Sequence, residues 1–290
     1  MCEAQLHEKN SFLTLTYNDE TLGRRRPTWE PTVPYTPPSE KATRASNYSQ
    51  TSSEQALRQI DSLHPRDAQL FMKRLRFNLA KLNPSARVRF YLVGEYGERF
   101  GRPHYHIALF GEDFSDDRRY HYTSDSGHNV WRSSRLEELW PYGNSEVGEL
   151  TIESAAYIAA YVLKKINGKK ADEHYRRTDP NTGQEIWIEP EFAFMSRGGR
   201  RGRGIAAEWL SKYMSDVYPH DHVVHNGKQL KPPRYFDKLL EQYDPITMEV
   251  IRLARETRAK DLAEDNTPAR LRDKEIVTAA KLKLKQRNLE

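Results

Sequence analysis

Two histidines and a glutamate stand at spacings that could hold a metal ion. The segment Arg87 to Gly111 reads RVRFYLVGEYGERFGRPHYHIALFG, two short apolar runs around a turn rich in Gly, Pro and charge, which predicts a β-hairpin. Because side chains alternate along a strand, His104 and His106 share one face, and Glu95 ends the partner strand. Two imidazoles and one carboxylate suit Mg²⁺ or Mn²⁺ acting on phosphate, although imidazole also binds Zn²⁺.

Histidines at this spacing have a plainer interpretation as well. Two strand histidines are often satisfied by hydrogen bonds or solvent alone, with no metal. Elsewhere in the chain His121 and His128 lack a patterned partner, and His220 and His222 lack a supporting strand pattern. We therefore expect Glu95, His104 and His106 to be the metal ligands if the chain binds one.

Two tyrosines lie four residues apart in a predicted helix. Residues 153–166, ESAAYIAAYVLKKI, are rich in Ala, begin with Glu and end in lysines, and Asn-Gly follows them. Tyr157 and Tyr161 therefore lie on one helix face, about one turn apart. Such a pair can present two reactive hydroxyls, or it can be an aromatic face that packs on a sheet.

Four segments, in this order along the chain, carry a resemblance to a known family. They are SFLTLTYNDE, GEYGERFGRPHYHIALFG, AAYIAAYVLKK and FAFMSRGGRRGRGIAAEWL, between Ser11 and Leu210. Together they resemble the HUH endonucleases of rolling-circle replication, in which U is a hydrophobic residue, and more narrowly the replication initiators of gokushovirus-type microviruses. Many relatives carry Lys or Arg between the two tyrosines, where this chain has Ala160.

The resemblance implies a specific reaction. An enzyme of this type nicks one strand of DNA at a replication origin by tyrosine attack on phosphorus, which leaves a 5′-phosphotyrosyl link and a free 3′-hydroxyl. Tyr157 and Tyr161 would be the nucleophiles, and Glu95, His104 and His106 would hold Mg²⁺ or Mn²⁺. The function implied is initiation and termination of rolling-circle replication of a small circular single-stranded DNA genome. The alternatives are a non-catalytic module that binds single-stranded nucleic acid, and an HUH transposase or relaxase.

Clustered cations predict where DNA would bind. Two lysines end the tyrosine helix, and a glycine-rich loop carries arginines whose charge-assisted hydrogen bonds suit phosphate. A flexible, solvated basic loop is the alternative interpretation of that segment. The predicted DNA-binding residues are Lys164, Lys165, Arg197, Arg200, Arg201 and Arg203.

Composition limits the partners and the compartment. The 290 residues carry a net charge of +5, which permits nucleic-acid binding. The sequence has no GxxxxGK[ST] phosphate loop, so no ATP-driven motor is indicated. We expect a host helicase and a host polymerase to act with the protein. Cys2 is the only cysteine, and neither a signal peptide nor an apolar run long enough for a membrane span is evident. The expected location is the cytoplasm of a bacterial host.

The pattern of short strands and helices predicts an α+β fold, mainly an antiparallel sheet with flanking helices, as in HUH endonucleases. The expected strands are Ser11–Tyr17, Val88–Val93, His104–Phe110 and Gly148–Ile152. Residues 1–215 would form the endonuclease domain, with polar, mobile insertions at 24–54, which is rich in Pro, and at 168–189. Residues 216–290 would form a charged, mainly helical tail.

Overall fold

The computed structural model describes residues 1–25, 62–97, 101–124, 126–161, 165–178, 183, 185–197 and 203–284. They form two compact units, one of residues 9–195 and one of residues 1–8 with 196–290. The boundary predicted from the sequence at residue 215 stays a prediction. From residue 26 onward, the insertion predicted at 24–54 lies outside the described residues. No helix in the described part of the chain combines the length and the apolar character needed to cross a membrane.

The unit of residues 9–195 is an α+β fold built on one seven-stranded antiparallel sheet, which confirms the predicted fold class. The strands lie in the order β4-β5-β6-β1-β3-β2-β9. Their bounds are β1 Asn10–Tyr17, β2 Arg89–Tyr96, β3 Pro103–Phe110, β4 Arg119–Thr123, β5 Asn129–Arg132, β6 Gly143–Gly148 and β9 Phe192–Met195. A separate hairpin pairs β7 Arg176–Thr178 with β8 Glu185–Trp187.

Five helices accompany these strands in the described residues of this unit: α1 Asp19–Arg25, α2 Pro65–Leu82, α3 Ser134–Leu139, α4 Ile152–Tyr161 and α5 Lys169–Tyr175. Helix α2 begins at Pro65, and its fully buried Phe71 and Leu75 belong to the same apolar cluster as Leu13 of β1 and Ile107 of β3. Strand alternation places those sheet residues on one face, so the histidines of β3 emerge on the other.

Two elements differ from the sequence prediction. Strand β6 ends at Gly148, so the strand predicted at Gly148–Ile152 is wrong. Thr151 instead caps helix α4. The hydroxyl of Thr151 accepts a hydrogen bond from the amide of Ser154, and the hydroxyl of Ser154 accepts one from the amide of Thr151. Residues 168–189, predicted as a polar insertion, contain α5 and the β7–β8 hairpin, and they bury Tyr175 completely.

The second unit has its own small core. Its elements are α6 Ala207–Val217, β10 Val223–His225, β11 Lys228–Leu230, α7 Arg234–Tyr243, α8 Pro245–Asp261 and α9 Pro268–Leu284. Trp209 and Phe236 stack at 5.9 Å between ring centroids in a cluster that extends over α6, α7 and α8. The Arg255 guanidinium binds the carboxylates of Asp221 and Asp237, which ties α8 to the residues before β10 and to α7.

Candidate functional site

The predicted ligands are brought together on one face of the sheet. Glu95 of β2 is the direct cross-strand partner of His104 of β3, so their side chains emerge on the same face, and His106 emerges two residues further along. Glu95 and His106 are almost completely buried, and His106 Nε2 lies 3.0 Å from Glu95 Oε1. The hairpin therefore places all three side chains on one face of the sheet.

The tyrosine helix lies over this same face. Helix α4 contacts β2 and β3, and both tyrosines pack against the imidazole of His106, with ring centroids 5.3 Å away for Tyr157 and 5.6 Å away for Tyr161. The two tyrosine rings are themselves 4.6 Å apart. The helix is described as far as Tyr161, residues 162–164 lie outside the described residues, and residues 165–167 are not helical.

Burial sets the ionisation of the site. Burial, then the negative charge of Glu95 and contact with Tyr157, raise the pKa of Tyr161 far above its ordinary value. Burial and repulsion from His106 lower the pKa of His104. At neutral pH His104 is therefore uncharged and has a lone pair for a ligand, while Tyr161 keeps its proton.

A divalent ion would find two of its three predicted ligands at a suitable spacing. Adjacent ligands of octahedral Mg²⁺ lie about 3 Å apart, because each is about 2.1 Å from the ion, and this is the separation of His106 Nε2 and Glu95 Oε1. The His104 ring is 6.1 Å from that of His106. Among the described residues, no set of three His, Cys, Asp or Glu side chains is arranged to hold an ion. The donor types fit the ion, and His104 would have to turn to complete the set.

One neighbour of the site was missed by the sequence analysis. Thr14 of β1 pairs with His106 across the strands, and its Oγ1 lies 3.2 Å from His106 Nδ1. Phe12, two residues earlier on the same face, stacks on His106 with ring centroids 5.5 Å apart. The alternation in SFLTLTY puts these residues on one face, but only the strand pairing identifies that face as the one with the histidines.

The structure describes three of the six predicted DNA-binding residues, and these three are divided between the two units. Lys165 is exposed and follows the tyrosine helix in the unit of residues 9–195. Arg197 and Arg203 are exposed and belong to the other unit. Lys164, Arg200 and Arg201 lie outside the described residues, and the prediction of DNA contact stays a prediction for all six.

Comparisons with known proteins agree on one class. Residues 46–166 match a family of replication-associated proteins of the ORF2 type. The chain is 28% identical over 266 residues to "Replication-associated protein VP4" of Bdellovibrio phage phiMH2K, an alignment that covers 90% of this chain and 67% of the relative. It is 29% identical over 179 residues to "Replication-associated protein ORF2" of Spiroplasma virus 4, with coverage of 60% and 50%.

A third relative is "Replication-associated protein ORF4" of Chlamydia phage 1, 26% identical over 249 residues, with coverage of 83% of this chain and 48% of the relative. The chain thus spans about two thirds of the length of the first of these relatives and about half the length of the other two. No solved structure matches the chain.

Proposed function

We propose that the chain initiates and terminates rolling-circle replication of a phage genome in a bacterial host. The matches to replication-associated proteins support a replication initiator of the microvirus type, as the four sequence segments predicted. It would do so by nicking and rejoining one strand of DNA at the origin. The observation that carries the proposal is the packing of Tyr157 and Tyr161 on His106, beside Glu95, on one sheet face.

The proposed reaction is attack by a tyrosine oxygen on a backbone phosphorus. A new bond between the tyrosine oxygen and phosphorus forms and the bond from phosphorus to the 3′ oxygen breaks. The phenol loses its proton and the leaving 3′ oxygen gains one, so the products are a 5′-phosphotyrosyl link and a 3′-hydroxyl. A phenol with an ordinary pKa near ~10 is a weak nucleophile at neutral pH and needs activation. Helix α4 holds the two hydroxyls next to the carboxylate and imidazoles, and this proximity lowers the entropic part of the barrier.

Glu95, His104 and His106 would hold Mg²⁺ or Mn²⁺ in this proposal. When bound, such an ion supplies positive charge that polarises the phosphate and stabilises its developing negative charge. The uncharged state of His104 and the buried position of Glu95 both favour ligation. The free 3′-hydroxyl would be extended by a host polymerase, with a host helicase to open the duplex.

The first experiment is a search for the covalent adduct. Incubation of the protein with origin single strands and Mn²⁺ should give a protein–DNA species that resists denaturant, since the phosphotyrosyl bond is covalent. His104→Ala and His106→Ala should abolish the adduct while leaving much of the DNA binding. No adduct across many candidate origin sequences would contradict the proposed reaction.

A non-catalytic module that binds single strands is the second candidate. It is favoured by one observation, that both tyrosine side chains are buried, with Tyr157 9% and Tyr161 4% exposed. A module of this kind would hold DNA by aromatic stacking and cationic loops. If the two histidine variants weaken DNA binding and no nick is seen with any variant, this candidate replaces the enzyme.

A further inference from the structure

We propose that Thr14 is a positioning residue that holds the His106 ring through its Nδ1 atom, so that Nε2 stays directed at the Glu95 carboxylate. This inference rests on the proposed function, because it assigns the residue that orients one metal ligand. It starts from the 3.2 Å separation of Thr14 Oγ1 and His106 Nδ1 and from the direct pairing of the two residues in the sheet.

The fixed backbone makes Thr14 suited to this task. Strand β1 lies between β3 and β6, so its position is held by ladders on both sides. Thr14 also has a β-branched side chain, which has few rotamers available in a strand. A hydroxyl in this position therefore limits rotation of the imidazole opposite it.

The Thr14 hydroxyl can hydrogen-bond to His106 Nδ1 in either neutral tautomer of the imidazole. A carboxylate only accepts hydrogen bonds, so in the bond to Glu95 the hydrogen is on His106 Nε2, and Nδ1 then accepts from the Thr14 hydroxyl. A metal on Nε2 requires the other neutral tautomer, with its hydrogen on Nδ1. The Thr14 oxygen can then accept that bond, because a hydroxyl both donates and accepts.

Other contacts of the ring cannot do this. Phe12, Tyr157 and Tyr161 touch His106 through their rings and restrict its tilt. The His106 imidazole can still turn by 180° about its Cβ–Cγ bond between these rings, which exchanges the positions of its nitrogen and carbon atoms. Among the described residues, Thr14 is the side chain recorded at hydrogen-bond distance from Nδ1. Loss of the hydrogen-bond partner of a metal-binding histidine typically weakens metal affinity by about 10- to 100-fold.

The test measures Mn²⁺ affinity by electron paramagnetic resonance in the full chain without DNA. Thr14→Val keeps the shape and the strand propensity but removes the hydroxyl, and Thr14→Ser restores it. Thr16→Val is the matched control, because Thr16 is on the same face of β1, pairs with His104, and has no side-chain hydrogen bond to either imidazole in the described structure. We expect Thr14→Val to bind Mn²⁺ about 10- to 100-fold more weakly, and Thr14→Ser and Thr16→Val to bind within about threefold of the unchanged protein.

A second measurement needs no metal. Nitrogen-15 spectra of the histidines should show the Nε2-protonated tautomer of His106 in the unchanged protein and in Thr14→Ser, and exchange broadening of that ring in Thr14→Val. Equal Mn²⁺ affinity of Thr14→Val and the unchanged protein would overturn the role of Thr14 and leave the proposed function intact. Failure of the unchanged protein to bind Mn²⁺ would overturn the metal site and this inference together.

Discussion

At the scale of single residues, the site holds two tyrosines that are close but unequal. Burial, then the negative charge of Glu95 and the neighbouring Tyr157, raise the pKa of Tyr161. Tyr157 packs edge-on against both His106 and Phe12. Tyr161 therefore keeps its proton at neutral pH until Glu95 is neutralised by a cation or turned away.

We predict that the two tyrosines alternate as nucleophiles. Rolling-circle synthesis ends with a second cleavage and a rejoining, so an enzyme that holds one 5′ end on a tyrosine needs another nucleophile to cut the regenerated site. Tyr157→Phe and Tyr161→Phe should each retain some nicking but release few closed circles, and the double variant should form no adduct. Gel analysis of adducts and circles measures both.

A different result for the two single variants would contradict alternation of the tyrosines. If one single change removes all adduct and the other leaves release of closed circles untouched, one tyrosine reacts and its neighbour only packs on the sheet. Phe is the matched substitution, because it keeps the ring contacts with His106 and removes the hydroxyl alone.

At the scale of elements, helix α4 depends on a reciprocal cap at its start. Thr151 and Ser154 each accept a backbone hydrogen bond from the other, as in a capping box with Ser in the acidic position. We predict that Thr151→Ala lowers the free energy of unfolding by about 1 kcal/mol. The helix should also fray, so amide hydrogen exchange across 152–161 should speed up.

A double-mutant cycle separates the cap from general effects. Because the two hydroxyls act on each other's backbone, Thr151→Ala and Ser154→Ala together should cost less than the sum of the single changes. Thr123→Ala, at an exposed end of β4 away from this helix, is the control and should leave exchange in α4 unchanged. Additive effects of the two changes would show that the pair does not act as one cap.

The elements that sequence predicted are those with strong local patterns. β1, β2, β3 and α4 follow apolar alternation or helical spacing, and the sequence placed Glu95 at the end of the strand that pairs with the strand of His104. Strands β4 to β9 are too short for a clear local pattern, so pairing with neighbours rather than local propensity makes them strands. Thr14 was missed for the same reason, since its role comes from β1 lying next to β3.

At the scale of the whole molecule, charge is divided unequally between the two compact units. Four of the five excess positive charges belong to the unit of residues 1–8 and 196–290, whereas the unit with the tyrosines is nearly neutral. The core of this basic unit, around Trp209 and Phe236, contains residues from both sides of the domain boundary predicted at residue 215. We predict that the unit of residues 9–195 carries the chemistry and that the basic unit adds general attraction for DNA.

The last prediction tests that division with exposed arginines of the basic unit. Each phosphate contact on a single strand contributes a slope of about −0.7 to the dependence of log affinity on log salt. Arg197→Ala with Arg203→Ala should therefore weaken binding of single strands and reduce the slope by about 1.4, while the rate of adduct formation at saturating DNA stays unchanged. The control is Arg252→Ala in the same unit, an arginine ion-paired with Glu241 and Glu249. Fluorescence anisotropy between about 50 and 200 mM salt measures the slope, because affinities of proteins with many phosphate contacts fall by ~10³-fold or more over this range. A slope that the double variant leaves unchanged would exclude these arginines as phosphate contacts.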